Sequence, residues 1–123
     1  MTFQYTDAFV TLATFHLENL VSFYTIFLGI KPTTYTQNIY AEFQLPGLKL
    51  GIFQPKQTHF YEFENSAKSK MSFCLEVSDL ETAIVHLTVL GYPPSGEIIN
   101  ASHGREIYAY DPDCNRIIIH QSK

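Results

Sequence analysis

Apolar residues recur along this chain in two rhythms, and each rhythm predicts an element. Ala8 to Thr14 alternates with period two, Val10 and Leu12 on one face and Phe9, Thr11 and Ala13 on the other, which predicts a strand. Leu17, Leu20, Val21, Tyr24, Phe27 and Leu28 follow at helical spacing, from an N-cap position at His16 to a stop at Gly29, with Pro32 beyond it. Extended stretches come next over Thr33 to Asn38, Ile39 to Leu45 and, after Pro46-Gly47, Leu48 to Phe53. Gln54 to Lys70 reads as a connector, carrying Pro55, Gln57, Thr58, Asn65, Ser66 and a Lys-Ser-Lys run. Within it, His59-Phe60-Tyr61-Glu62-Phe63 is too aromatic for a solvated linker and reads as an arm packed over a site mouth or a second subunit. The order then repeats. A strand over Met71 to Val77 leads through the N-cap Asp79 to a helix with Leu80, Ala83, Ile84, Leu87 and Leu90 on its apolar face, ending at Gly91. Strands are predicted at Gly96 to Asn100, Arg105 to Tyr110 and Arg116 to His120.

The repetition is specific enough to set a topology. Leu17-Glu18 with Leu28-Gly29 matches Leu80-Glu81 with Leu90-Gly91. Gly47-Leu48-Lys49-Leu50 stands in its half where Cys114-Asn115-Arg116-Ile117 stands in the other. The predicted fold class is α+β, one domain over 1–123 built from duplicated βαβββ modules, about 8–55 and about 71–122, with 56–70 between them. The last hairpin turns through Asp111-Pro112-Asp113-Cys114-Asn115, where Pro112 sets its own φ and the side chains of Asp113 and Asn115 are expected to bond the local backbone.

Composition narrows the function classes. With 123 residues, 46% hydrophobic and 16% charged, the chain has material for a packed core and is not of disordered type. A net charge of −4 supplies no basic footprint, so no nucleic-acid partner is expected. No apolar run approaches the roughly 20 residues of a membrane span, and the first residues lack a signal-peptide layout, so the expected setting is cytoplasmic. Cys74 and Cys114 have no metal-type spacing and read as reduced thiols, with a single disulfide as the alternative.

Tyr108-Ala109-Tyr110, the Asp-Pro-Asp-Cys-Asn turn and Arg116-Ile117-Ile118-Ile119 resemble the hairpin that closes members of the vicinal oxygen chelate superfamily, an aromatic strand, Asp-Pro-Asp-Gly-Asn, then Arg-Ile-Glu-Leu. Tyr40 to Phe43 followed by Gly47 to Pro55 is similar to that family's first-half ending, and Leu75 to Glu81 to its second-half opening. The superfamily holds glyoxalase I, the bleomycin- and fosfomycin-resistance proteins and the extradiol dioxygenases. The resemblance implies curled sheets forming an eight-stranded cup with helices outside, and metal ligands from the first and last strand of each half. Those positions fall on Phe9, Gly51, Ser72 and Ile118, which offer one poor donor, the Ser72 hydroxyl, so no metal and no cofactor are expected. His16 and His86 sit at a helix start and a helix flank, and His59 and His103 in irregular segments, a scatter read as sharing no ligand. His120 shares a face with Ile118 and is kept as a hydrogen-bonding or acid–base group. Glu76 and Arg116 are placed on the same side as ordinary solvated or paired charges.

Thr11 and Tyr108 match positions that bind phosphonate in fosfomycin-resistance transferases; without the metal and its cationic surround, phosphonate binding is not carried over. Cys74 faces the cup and reads as a small buried hydrophobe rather than a nucleophile, which needs a base or cation beside it. The resemblance thus implies a metal-free small-molecule-binding protein, with Phe9, Gly51, Phe53 and Ile118 lining the cup and Thr11, Ser72, Cys74, Tyr108 and His120 as its polar points. The cleft lacks the acidity needed for a basic glycopeptide. No residue is assigned a catalytic role, although His120 and Tyr108 are the candidates a reaction would use. The alternatives are a lyase, isomerase or dioxygenase-like enzyme with an atypical site, and a structural or regulatory dimer with a filled cup. A homodimer is expected, the commonest oligomer.

Overall fold

Leu17, Leu20, Val21 and Tyr24, spaced to share one helix face, are buried in the computed structural model, which describes residues 2–4, 6–64 and 69–123. The chain divides into two units, Met1–Glu64 and Asn65–Lys123. In the first, β1 (Val10–Ala13) leads to α1 (Leu17–Leu28), followed by β2 (Thr34–Thr36), β3 (Tyr40–Leu45) and β4 (Leu48–Phe53). The sheet order is β1-β4-β3-β2, with β1 parallel to β4 and the other pairs antiparallel. Ala41, Phe43, Leu50 and Ile52 are fully buried on the face that α1 covers through its packing on β4. Burying each such large aliphatic or aromatic side chain contributes about 1.5–3 kcal/mol. Gly29 ends α1 at φ 70, its N–H bonded to the Thr25 carbonyl at 3.1 Å, a left-handed cap for which glycine has no Cβ penalty.

The second unit repeats this plan. It comprises β5 (Phe73–Glu76), α2 (Leu80–Leu90), β6 (Ile99–Ala101), β7 (Gly104–Tyr110) and β8 (Arg116–Ser122), in the order β5-β8-β7-β6 with β5 parallel to β8. Leu80 and Leu87 of α2 are fully buried, as are Ala109, Ile117 and Ile119, with Ile107 nearly so. The Asp79 side chain accepts the Thr82 N–H at 3.2 Å, the N-cap expected of it. The duplicated βαβββ modules of an α+β protein are therefore present, with eight strands in two mixed sheets.

Several local expectations are corrected. His16 holds the N-cap position but caps nothing with its ring; the buried Thr14 hydroxyl accepts the His16 N–H instead, at 3.0 Å. In the last turn Asp111, not Asp113, is the side chain that organises the backbone. Its carboxylate accepts the N–H groups of Asp113 at 2.9 Å and Asn115 at 3.0 Å, and the Asn115 amide at 2.9 Å. The connector contains a 3₁₀ helix over Gln57–Glu62. Its aromatic residues pack on their own module, Phe60 against Phe15 and Phe63 against Phe53, with ring centroids 4.8 and 5.4 Å apart. The Asn65, Ser66 and Lys68 portion of the connector lies outside the described residues. β6 starts at Ile99 rather than Gly96. No helix among the described residues is long and apolar enough to cross a membrane.

Candidate functional site

Period-two alternation puts Ile117 and Ile119 of β8 against α2, which leaves Ile118 and His120 on the opposite face of the second module's sheet. Register then builds rows across three strands. Cys74, Ile118 and Tyr108 form one; Glu76, His120 and Glu106 form the next. In the first row Ile118 is half-buried, Cys74 carries an exposed free thiol, and Tyr108 is 39% exposed. Cys114 is free and exposed as well.

The second row is the polar centre. His120 Nδ1 lies 2.6 Å from Glu76 Oε1, and its Nε2 lies 2.8 Å from His103 Nδ1. The two imidazoles stack with centroids 4.9 Å apart. Glu76 is further held by the Ser122 N–H, donated to its other carboxylate oxygen at 2.8 Å. The His120 hydrogen bond, and then that of Ser122, hold the Glu76 carboxyl below its usual range. One donor atom each from His103, Glu106 and His120 lies within 4.8 Å of the others. His103, read from sequence as one of four scattered histidines, is thus corrected: it meets His120. Gly104 is the reason. At φ 149 it follows His103, and a Cβ there would meet the Gln121 carbonyl oxygen at 2.2 Å, so only glycine lets the turn press this close to β8.

The first module's corresponding face is differently furnished. Tyr40 donates its hydroxyl to Glu42 Oε1 at 2.7 Å, and burial, followed by this bond, pushes the phenol up to about 12. The ring lies over Gly51, where an added Cβ would sit 2.9 Å from the Tyr40 hydroxyl and 3.1 Å from the Thr11 methyl. Gly51 is therefore buried and lines nothing; the exposed side of that position is Tyr40, a correction. Phe53 is covered on one side by Phe63. Thr11 and Phe9 are exposed, and the Lys49 ammonium lies 5.3 Å from the Phe9 ring centroid while pairing with Asp7 at 2.8 Å. Tyr40, Glu42 and Lys49 were given no site role from the sequence, although Tyr40 and Glu42 stand two apart on one strand, the spacing that shares a face.

The four positions carried over for a metal do not fit one. Gly51 is capped by Tyr40, and Ile118 is hydrocarbon. The Ser72 hydroxyl accepts from the Arg116 guanidinium at 3.0 Å, a resident cation where an ion would need an anion. Phe9 and Ser72 both precede the strands to which they were assigned.

Against solved structures, the chain superposes along nearly its whole length on a glyoxalase/bleomycin resistance protein from Catenulispora acidiphila, with a TM-score of 0.69, 21% identity, and 95% of this chain and 98% of that one covered. This is the vicinal oxygen chelate fold. The fosfomycin resistance protein FosX from Listeria monocytogenes shares it, with a TM-score of 0.76, 16% identity, and 98% and 96% covered. So does lactoylglutathione lyase from Agrobacterium tumefaciens, with a TM-score of 0.71, 16% identity, and 94% and 93% covered. No protein-family model matches the sequence, and no curated protein matches it. The vicinal oxygen chelate fold is thus established by shape.

Proposed function

We propose that the chain is a small-molecule-binding protein of the glyoxalase/bleomycin-resistance type, taking an apolar or aromatic ligand without a metal at the four inherited positions. Tyr108 carries this reading. It stands 39% exposed next to Ile118, in the row that ends at Cys74, and its hydroxyl makes no hydrogen bond among the described residues. A phenol on an apolar strip with its polar tip unengaged is the kind of convergent polar point that orients a bound ring. The E126Q FosX variant from Listeria monocytogenes, solved with Mn(II) and 1S,2S-dihydroxypropylphosphonic acid, is a small-ligand complex in the same fold.

A thermal-shift screen of small aromatics tests the proposal on wild type, Tyr108→Phe and Ile118→Asp. A hydroxylated hit should bind Tyr108→Phe more weakly by about 0.5–1.5 kcal/mol, the net worth of one hydrogen bond, while its unsubstituted analogue is unaffected. If no compound stabilises the wild type, or Ile118→Asp leaves every hit unchanged, the strip is not a binding site.

The second reading is an enzyme, a lyase, isomerase or dioxygenase-like protein, and the Glu76–His120 pair favours it. A carboxylate that fixes one imidazole proton makes the other nitrogen the basic one, and His120 Nε2 would act as a base once the exposed His103, 2.8 Å away, turns aside. Turnover of a screened hit in wild type, abolished in His120→Gln, would select this reading over simple binding.

A further inference from the structure

We propose that His103, Glu106 and His120 form a binding site for a divalent first-row transition metal, built inside the second module and separate from the fold's inherited metal positions. Neither reading of the ligand strip is needed for it. The three side chains come from the turn before β7, from β7 and from β8, and Glu106 faces His120 directly in the strand register. Among the described residues this is the one trio of His, Cys, Asp or Glu side chains whose donor atoms converge.

The tautomer of His120 is set for coordination. Because Glu76 accepts at 2.6 Å, His120 carries its proton on Nδ1 and offers the Nε2 lone pair toward His103. A ligating histidine whose second nitrogen donates to a carboxylate is the usual outer-shell arrangement of a metal centre. In the apo protein His103 donates from Nδ1 to that lone pair. An ion takes the place of this proton, and His103 then holds its hydrogen on Nε2, so the site loads with no net change in the charge of either ring.

Distances are close to those required. Two donors at about 2.0–2.1 Å from a tetrahedral zinc stand roughly 3.3 Å apart, against 2.8 Å between the two nitrogens here. The exposed His103 has to spread by a fraction of an ångström and turn its ring so that both lone pairs meet at the ion. Glu106, within 4.8 Å of both, closes the set by a side-chain rotation. The charge balance also suits a dication. Glu106 and Glu76 supply two negative charges, and the neighbouring Arg105 is engaged by Glu81 through bonds of 2.6 and 2.8 Å, so it is not a competing cation in the site. Two imidazoles and one carboxylate leave at least one coordination position for water or a ligand, the composition of an open site rather than a closed structural one.

Calorimetric titration of the tag-free, chelator-treated full chain with Zn²⁺ tests this. One ion per chain should bind at micromolar concentration or tighter. His103→Ala, on an exposed turn and not in the core, should weaken binding at least 100-fold, and Glu106→Gln at least tenfold. Glu76→Gln, which does not touch the ion, should weaken it roughly 10–100-fold with the stoichiometry kept. Cys74→Ser, Cys114→Ser and His86→Ala should bind as wild type does, and a Co²⁺ complex should show no thiolate charge-transfer band. Circular dichroism of each variant confirms that it is folded. Absence of binding at millimolar Zn²⁺, or an affinity unchanged in His103→Ala, overturns the proposal, as does an affinity lost in either cysteine variant.

Discussion

Cys114 occupies left-handed backbone at φ 67, in the turn where the related signature has glycine. Gly47, its counterpart in the first module, has φ 72. An L-residue there costs about 1–2 kcal/mol, and glycine's extra freedom in the unfolded chain returns about 0.5–1 of it. Cys114→Gly should therefore raise stability by about 0.5–1 kcal/mol, read as a higher denaturant midpoint at unchanged slope. Asp111 is what makes the cysteine tolerable, since its carboxylate fastens both sides of that residue. At this scale the sequence was partly legible. Alternation alone placed Tyr108, Ile118, Cys74 and His120 on one face. It did not show that His103 reaches His120, because that depends on a glycine's close approach to a strand well separated in the chain.

Among the elements, the helices were the clearest, because their apolar faces are continuous and glycine closes each one at Gly29 and Gly91. β4 also has its expected limits, set between Gly47 and Pro55. The outer strands are shorter than their residues suggested, since β propensity marks what fits a sheet and not where a partner strand ends. The pairing of β3 with β4 has a measurable consequence in Tyr40. Its phenol is held protonated by burial first and by Glu42 second, up to about 12 against an ordinary value near 10. The folded state thus binds this proton more tightly than the unfolded chain does. Its contribution is complete below pH 10 and is lost as pH rises toward 12. In alkaline titration, Tyr40→Phe should lose one phenolate step that lies well above the ordinary tyrosine range. Glu42→Gln should move that step downward without restoring the ordinary value, since burial persists.

For the whole molecule, the duplication was legible because helix, glycine stop and turn recur in the same order in both halves. The function was not, because Phe9, Gly51, Ser72 and Ile118, the positions where the resemblance looks for ligands, form no chemical motif. Assembly follows from what stays uncovered. Phe60 and Phe63 are fastened to the first module, which leaves Tyr61 69% exposed beside them, and Met71 and Val89 are 70% and 84% exposed. These side chains are available to a second chain, and a two-fold homodimer, the commonest oligomer, is our proposal. Light scattering at tens of micromolar should give twice the 14.1 kDa chain mass; a monomer mass refutes it. The sheet order has a consequence for how the protein is made. In each module the first strand pairs only with the last, β1 with β4 and β5 with β8. On a ribosome adding roughly 5–20 residues per second, each opening strand and its helix emerge seconds before the strand that will anchor them. A nascent chain halted before β4 or β8 therefore lacks the strand with which, among the described residues, its opening strand pairs.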